Sequence, residues 1–275
     1  MTTIAPVSRF VDAAGLRTRY VEAGSGPPLV LIHGGGAGAD SVGNWKGSMP
    51  QLARHFKVFA LDMVGFGDTA KPDPAGFEYS QAARVDHLRG FLEALDIERA
   101  SFIGNSMGGA TALGLAAASQ ATVERLVLMG SAGLNTSIHP GLLPVINYDF
   151  TRDGMKRLIR ALVNEDFEID DALVDYRLAR SLEPATRAAY GATMKWIRDQ
   201  GGLAYPPELI ASVRCPTLVI NGKEDKVVPL ANAYRFLELI PDSWGWIVPH
   251  CGHWAMIEHP EAFARICLTF LQGDA

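Results

Sequence analysis

Hydrophobic residues along this chain occur in short runs separated by longer, helix-like segments. Short apolar runs bounded by glycine, proline and polar residues predict buried β-strands. The predicted strands are residues 18–22, 29–32, 57–62, 100–103, 125–129, 217–220 and 246–248. Helical segments between the later strands predict an α/β fold, a mostly parallel sheet flanked by helices. The Gly- and Pro-rich stretch 24–28 predicts a hairpin connection between the first two strands.

The pattern changes between residues 138 and 205, where no strand-like run occurs and apolar residues recur at helical spacing. The apolar stripes are Met155, Leu158, Ile159, Leu162 and Val163, then Tyr190, Met194 and Ile197, while Lys156, Arg157 and Arg160 fall on an opposite face. Packing against the rest of the chain is the simplest interpretation of these stripes. We expect a core domain at residues 1–137 and 206–275, with 138–205 inserted as a helical lid.

Composition restricts the function classes without selecting one. With 275 residues, of which 48% are hydrophobic, the chain can bury a large core in one catalytic domain. The net charge of -5 and the lack of a Lys/Arg cluster argue against nucleic-acid binding. No apolar run is long enough to span a membrane, and residues 1–10 lack a signal-peptide layout, so we expect a cytoplasmic protein. The three cysteines do not form a disulfide framework and are expected to be buried thiols.

A nucleophile elbow is the strongest chemical motif in the chain. Ser106 lies in the sequence GNSMGG at residues 104–109, directly between a predicted strand and a helix of small residues. A G-x-S-x-G sequence forms a strand-to-helix turn so tight that glycines must flank it, and the turn exposes the serine oxygen. We therefore predict that Ser106 is a catalytic nucleophile.

Two further residues complete a catalytic triad in the expected order. Asp225 and His253 each follow a predicted strand, which gives the chain order Ser, Asp, His of the α/β-hydrolases. A neutral histidine can accept the serine proton, and a carboxylate orients and stabilises the resulting imidazolium. Glu224 is a rival carboxylate, and Cys251 is a weaker rival nucleophile because it lacks an elbow.

The sequence HGGG at residues 33–36 follows another predicted strand and supplies exposed backbone amides. Acyl transfer needs two donors aimed at the oxyanion, which this loop and the amide of Met107 can provide. A tight turn, with or without phosphate, is the alternative interpretation of the glycines. Zinc bound by His250, His253 and His259 with Cys251 does not fit the usual ligand spacing, so no metal or organic cofactor is expected.

Four segments together resemble one family within this fold. They are HGGGAGA at residues 33–39, NW at 44–45, GNSMGGAT at 104–111 and CGHW at 251–254. The combination resembles the meta-cleavage product hydrolases, and the resemblance spans nearly the whole chain. The segments INYDFTR at 146–152 and WAMIEHP at 254–260 are most similar to the branch acting on products of carbazole, dioxin or biphenyl breakdown.

The resemblance implies carbon–carbon bond hydrolysis of 2-hydroxy-6-oxo-6-aryl-hexa-2,4-dienoates to an aryl carboxylate and 2-hydroxypenta-2,4-dienoate. It assigns catalysis to Ser106, Asp225 and His253, and the oxyanion amides to Gly35 and Met107. It assigns the dienoate end of the substrate to Gly36, Asn44, Asn105, Trp254 and a lid arginine. Arg180 is the first choice for that arginine and Arg177 the second. Local turn capping is the alternative role for Asn44 and Asn105.

The implied mechanism begins with ketonisation of the dienol, which makes the departing carbon a tolerable leaving group. His253 then activates either Ser106, giving an acyl-enzyme, or a water molecule. A carboxylesterase of the same fold is the leading alternative, and a ligand receptor that kept a hydrolase fold is the second. Dehalogenases and epoxide hydrolases fit less well because they carry a carboxylate where Ser106 stands. The expected partner is a small aromatic ring-cleavage product, with no nucleic acid or membrane, and the chain is expected to form a homo-oligomer.

Overall fold

The computed structural model describes residues 5–273, which form one eight-stranded sheet in the order β1-β2-β4-β3-β5-β6-β7-β8. The strands are β1 (Val7–Ala13), β2 (Leu16–Ala23), β3 (Pro28–Ile32), β4 (Lys57–Leu61), β5 (Ala100–Asn105), β6 (Val123–Met129), β7 (Thr217–Gly222) and β8 (Ser243–Val248). Strands β3 to β8 are mutually parallel, whereas β2 is antiparallel to both of its neighbours. The predicted α/β fold with a mostly parallel sheet is confirmed.

Helices cover both faces of this sheet and follow most of its strands. They are α1 (Ser41–Trp45), α2 (Met49–Leu52), α3 (Gln81–Ala94), α4 (Met107–Ala118), α5 (Leu143–Ile146), α6 (Arg152–Leu162), α7 (Asp171–Ser181), α8 (Pro184–Asp199), α9 (Pro207–Ala211), α10 (Leu230–Leu239), α11 (Ala255–Glu258) and α12 (Pro260–Gln272). A 3₁₀ turn, Pro140–Leu142, leads into α5. No helix in the described range is long and apolar enough to cross a membrane.

The hairpin predicted at residues 24–28 is wrong. Strand β2 pairs with β1 and β4, and β4 separates it from β3. The glycine at position 24 has a φ of +83°, and a Cβ there would lie only 2.2 Å from the carbonyl oxygen of Phe56. The stretch therefore packs against the segment leading into β4 instead of closing a hairpin. Strand β1 was not predicted, because most of its residues are exposed and form no apolar run.

The core consists of the parallel strands and the helices packed on them. Strands β5 and β7 are buried along their whole length, as expected of parallel strands covered on both faces. The predicted apolar stripe of α6 belongs to the same hydrophobic cluster, with Met155, Leu158 and Ile159 fully buried. Its interpretation as a packing face is confirmed, and helix α6 therefore shares the hydrophobic core of the sheet.

Helices α5 to α8 all lie in the chain between β6 and β7, on the side where the sheet presents its carboxyl edge to the predicted site. The two ends of the segment meet, because Gly133 and Leu134 form isolated β-bridges with Ala204. The described residues exclude 1–4 and 274–275, the two ends of the predicted core domain. Part of the N-terminal segment 1–10, which lacks a signal-peptide layout, therefore also lies outside them.

Candidate active site

Ser106 occupies the turn between β5 and α4 with φ 54° and ψ -117°, a conformation that non-glycine residues rarely adopt. The flanking glycines are required by close backbone contacts. A Cβ at Gly104 would lie 2.5 Å from the Gly108 carbonyl oxygen, and one at Gly108 would lie 2.4 Å from that of Ile32. Strain of this kind costs about 1–3 kcal/mol and persists where the surrounding structure enforces it. The elbow geometry expected from the sequence is present.

Asp225 follows β7 and His253 follows β8, so both lie at the same edge of the sheet as Ser106. His253 Nδ1 lies 2.7 Å from Asp225 Oδ2. The other carboxylate oxygen accepts hydrogen bonds from the amides of Val227 and Val228, each 2.8 Å long. Both oxygens of Asp225 are therefore occupied as hydrogen-bond acceptors, and the side chain orients the imidazole with Nδ1 as the donor nitrogen and Nε2 as the acceptor nitrogen.

Ser106 and His253 line one cavity beneath the inserted helices. The Ser106 hydroxyl makes no hydrogen bond to any residue in the described range, and such contacts often tighten only when substrate binds. The rival residues Glu224 and Cys251 are not among those that line this cavity. Glu224 Oε2 accepts a hydrogen bond from the Cys251 amide, 3.0 Å away. Burial and the nearby Glu258 carboxylate raise the pKa of the Cys251 thiol well above its usual value, so it is not a reactive thiolate.

The amides of Gly35 and Met107 fit an oxyanion hole. Both residues line the cavity, and within residues 5–273 neither amide has an acceptor. A Cβ at Gly35 would lie 2.9 Å from Met107 Sδ, so the two residues are in close contact. His33 fixes the loop: its Nδ1 donates to the Gly34 carbonyl at 2.7 Å, and its Nε2 accepts from the Met63 amide at 3.0 Å. Burial lowers the pKa of His33 and keeps it neutral.

Four residues predicted to hold the dienoate also line this cavity: Gly36, Asn44, Asn105 and Trp254. Asn44 Nδ2 donates to Asn105 Oδ1 at 3.4 Å, and Asn105 Nδ2 donates to the Met129 carbonyl at 3.1 Å. Turn capping does not describe these contacts, because both hydrogen bonds go to residues distant in the chain and the cap of helix α1 is Asp40, which accepts from the Gly43 amide. The two amides instead form a buried polar pair within the site.

The structure does not bring Arg180 to this cavity. Its guanidinium pairs with the buried Asp40 at 2.5 Å and with Asp68 at 3.4 Å, and Arg180 is not among the residues that line the cavity. Arg177, one helical turn earlier, lines the cavity instead. The first choice of lid arginine is therefore corrected to the second, because the acidic residues on the core domain hold Arg180 away from Ser106.

Arg177 is almost completely buried and stacks its guanidinium 4.8 Å from the centre of the Trp254 ring. It donates one hydrogen bond, 2.8 Å long, to the Ala37 carbonyl, and its Nε has no partner among residues 5–273. Burial lowers the pKa of Arg177 to about 10, so the side chain stays cationic near neutrality. Asp40 raises the pKa of Arg177 in the opposite sense, but no carboxylate among residues 5–273 forms a direct ion pair with it. A buried cation without a direct anionic partner is costly, so an anion bound in the cavity would stabilise it.

The remaining wall of the cavity is mainly apolar. Its side chains are Ile138, Leu142, Val145, Leu162, Met194, Ile197, Leu203, Val227 and Val228. Several belong to the predicted helical stripes, but periodicity did not indicate that Leu162, Met194 and Ile197 face a cavity as well as the core. In the described part of the chain, no group of three His, Cys, Asp or Glu side chains is arranged to hold a metal ion. His259 Nε2 donates a hydrogen bond to the His250 carbonyl at 2.9 Å.

Comparisons with known proteins agree with this geometry. The sequence profile of the alpha/beta hydrolase fold family matches residues 27–260. The chain is similar to a 2-hydroxy-6-oxo-6-(2'-aminophenyl)hexa-2,4-dienoic acid hydrolase from Metapseudomonas resinovorans, at 59% identity over 98% of this chain and 92% of that protein.

Two solved structures are also similar to this chain over nearly its whole length. A serine hydrolase involved in carbazole degradation is 56% identical with a TM-score of 0.90, over 98% of this chain and 99% of the other. A serine-to-alanine variant of the meta-cleavage product hydrolase from Pseudomonas fluorescens IP01, complexed with acetates, is 33% identical with a TM-score of 0.91, over 99% of both chains.

Proposed function

Since the chain belongs to the meta-cleavage product hydrolases of the alpha/beta hydrolase family, we propose that it hydrolyses 2-hydroxy-6-oxo-6-aryl-hexa-2,4-dienoates. The C5–C6 bond breaks, water is consumed, and the products are an aryl carboxylate and 2-hydroxypenta-2,4-dienoate. A relative at 59% identity carries the name of a hydrolase for the 2'-aminophenyl compound, which supports a six-position aryl group in the substrate.

The observation that carries this proposal is the presence of Arg177 and Ser106 in one cavity. The buried guanidinium binds the substrate carboxylate, which gives it the direct anionic partner that it does not have among residues 5–273. Trp254 and the paired amides of Asn44 and Asn105 surround the oxygens of the hydroxydienoate. A simple carboxylesterase needs the triad and the oxyanion hole, but it has no use for a buried cation in its acyl pocket.

The reaction starts with ketonisation of the bound dienol, in which C5 gains a proton and the 2-hydroxyl loses one. The new carbonyl at C2 can then accept the electron pair released at C5. His253 Nε2 removes the Ser106 proton while Asp225 holds the imidazole through Nδ1, and Ser106 attacks the C6 carbonyl.

The tetrahedral oxyanion forms between the amides of Gly35 and Met107. Its collapse breaks the C5–C6 bond, and the electron pair is delocalised through C4 and C3 to the C2 oxygen. The proton held by His253 passes to this dienolate, which departs as 2-hydroxypenta-2,4-dienoate and leaves His253 neutral. The acyl group stays on Ser106. Water activated by His253 then attacks the ester, and the aryl carboxylate leaves with Ser106 regenerated. The chemistry uses only residues of the chain and water.

We propose that residues 138–205 act as the lid over this site and determine which acyl group fits. Leu142, Val145, Met194 and Ile197 contribute apolar surface from three separate segments of the insertion. Because an aryl ring carries no charge, it is accommodated by this apolar wall, while the carboxylate end lies with Arg177. The same cavity thus receives the two chemically different ends of the substrate.

The direct test uses the yellow 6-phenyl dienoate and follows the loss of its visible absorbance, with products identified by chromatography. We expect bleaching with one equivalent each of benzoate and hydroxypentadienoate, abolished in Ser106→Ala. Repetition with the 2'-aminophenyl compound measures the preference for the aryl group. Rapid hydrolysis of a simple aryl ester without bleaching would instead identify a carboxylesterase, and binding without multiple turnover would identify a receptor.

We also propose that the enzyme self-associates and works in the cytoplasm. Trp244 on the edge strand β8 and Tyr234 on the adjacent α10 are large, exposed apolar side chains, which favours an interface between two copies. All three cysteines are free thiols, as is usual in a reducing compartment. Sedimentation of the wild type and of Trp244→Ser tests the association: a lighter species is expected for the variant.

A further inference from the structure

Outside the triad, one carboxylate gathers an unusual set of backbone donors. Glu258, the last residue of α11, accepts hydrogen bonds from the amides of Asn164 at 2.7 Å and of Trp254 at 3.2 Å. The amide of Gly252 donates to both of its oxygens, at 3.0 and 3.1 Å. Charge-assisted bonds to backbone amides are among the stronger hydrogen bonds in proteins. The fold uses the Glu258 side chain as a connection among three chain segments.

Two of the three donors flank the catalytic histidine directly. Gly252 and Trp254 precede and follow His253, so Glu258 fixes the backbone on both sides of the imidazole. This loop lies between β8 and α11 without regular structure, and His250 at its start has a positive φ of 53°. Asp225 controls the orientation of the ring, but it cannot fix the backbone from which the ring projects.

The third donor belongs to the insertion. Asn164 follows the end of α6, and the amide of His253 in turn donates to the carbonyl of Leu162 at 2.8 Å. A Cβ at Gly252 would lie 2.7 Å from the Asn164 nitrogen, so the two segments are in backbone contact. Leu162 also lines the cavity with Ser106. The end of α6 therefore donates one hydrogen bond to Glu258 and accepts another from His253.

We propose that Glu258 is a positioning residue for the reaction, which sets His253 relative to Ser106 by fixing the histidine loop to the end of the lid helix α6. The inference rests on the proposed function for its reaction, but the contacts that carry it are independent of the substrate. The two carboxylate oxygens bind different segments, because Oε2 holds the lid through Asn164 whereas Oε1 holds Trp254. Gly252 is shared by both oxygens.

Glu258→Gln is the sharpest variant because it changes one oxygen into an NH₂ group of similar size. The NH₂ group cannot accept, so either the bond to Asn164 or the bond to Trp254 must break. We expect kcat on the dienoate to fall by about 10- to 100-fold, since a displacement near 1 Å can cost about 10²-fold in rate. The KM is expected to change less than kcat, because the bond from Arg177 to the Ala37 carbonyl and the Asn44–Asn105 pair do not involve Glu258.

Two readouts need no dienoate and therefore separate this inference from the proposed function. The first is the rate at which a fluorophosphonate labels Ser106, which requires His253 as base. The second is the low-field proton resonance of His253 Nδ1–H in the hydrogen bond to Asp225. We expect slower labelling and a shifted or broadened resonance in Glu258→Gln. If the wild type failed to cleave the dienoate, the proposed function would fall while these two measurements still tested Glu258.

The matched control is Glu261→Gln, which makes the same change on an exposed glutamate three residues later and should behave as wild type. Glu258→Asp keeps the charge with a shorter reach and covers the case in which Glu258→Gln does not fold. Wild-type labelling rates and an unshifted resonance in the folded Glu258 variants would overturn the proposal, even with a lowered Tm. Slower labelling and a shifted or broadened resonance in those variants, with Glu261→Gln behaving as wild type, would support it.

Discussion

Asp225 holds His253 through a 2.7 Å contact between Oδ2 and Nδ1, while its Oδ1 is already occupied by two backbone amides. The carboxylate therefore cannot rotate without breaking three hydrogen bonds. This arrangement selects the histidine tautomer whose Nε2 can accept a proton, so the His253 ring is oriented without any hydrogen bond from Ser106.

Asp225→Asn should leave the fold intact and nearly abolish turnover. The amide side chain can still accept from Val227 and Val228 through its oxygen, but its NH₂ group would then face the Nδ1–H of His253. The ring must adopt the other tautomer, and kcat should fall by about 10⁴-fold, as for other triads. Steady-state bleaching assays on folded protein check this. Glu224→Gln, the neighbouring carboxylate, should keep wild-type turnover, and a comparable loss there would contradict the assignment.

Ser106→Gly should be more stable than Ser106→Ala. The residue at this position has φ 54° and ψ -117°, which glycine adopts without a Cβ clash and alanine does not. Both variants lack the nucleophile, so activity is lost in each. We expect the free energy of unfolding of the glycine variant to exceed that of the alanine variant by about 1–2 kcal/mol. Urea denaturation measures the difference, and equal stabilities would mean that the elbow is not strained.

Arg177→Gln should weaken the dienoate reaction far more than Arg180→Gln. Loss of a charged hydrogen bond to the carboxylate is worth about 1.5–3 kcal/mol, so kcat/KM should drop by about 10- to 100-fold. Arg180 pairs with Asp40 and Asp68 outside the cavity, and its replacement should change kcat/KM little. A neutral aryl ester lacks the carboxylate and should be hydrolysed equally by both variants. The reverse order of effects would restore Arg180 as the substrate arginine.

Stability should decrease as the pH falls from 7 to 5, partly because of His87. Burial lowers the pKa of His87 to about 4, from 6.5 for the free side chain. Its Nδ1 accepts from the Val64 amide at 3.3 Å, and its Nε2 lies 2.7 Å from the Thr18 hydroxyl, so the ring is neutral when folded. Between these two pKa values only the unfolded chain binds the proton, which favours unfolding.

For His87 alone, this linkage amounts to about 2 kcal/mol at pH 5, using the folded pKa of about 4. The variant His87→Gln should be less stable at pH 7, but its stability should depend less on pH. Urea denaturation of the wild type and of His87→Gln at pH 7 and pH 5 measures how the free energy of unfolding of each protein changes with pH. His33, whose pKa is also lowered by burial, remains in the variant, so some pH dependence will persist. An unchanged difference between the two pH values would exclude His87 as a source.

The sequence by itself determined the catalytic elbow and the nature of the sheet. The requirement for glycines beside Ser106 is a property of one tight turn, so four neighbouring residues suffice to predict it. Apolar runs followed directly by Asp225 and His253 indicated strands with reactive residues at their ends. Parallel strands present those ends at one edge, which made the convergence of the triad predictable.

Only the tertiary structure decided the strand order and which of the two arginines lines the cavity. The pairing of β2 with β4 depends on contacts between distant segments, which the local turn signal at residues 24–28 does not contain. Arg177 and Arg180 lie three residues apart on one helix and therefore share nearly the same face. The choice between them depends on Asp40 and Asp68, which hold Arg180 outside, and on Trp254 and Ala37, which hold Arg177 within the cavity. These partners are more than 70 positions away in the chain, beyond the reach of any sequence periodicity.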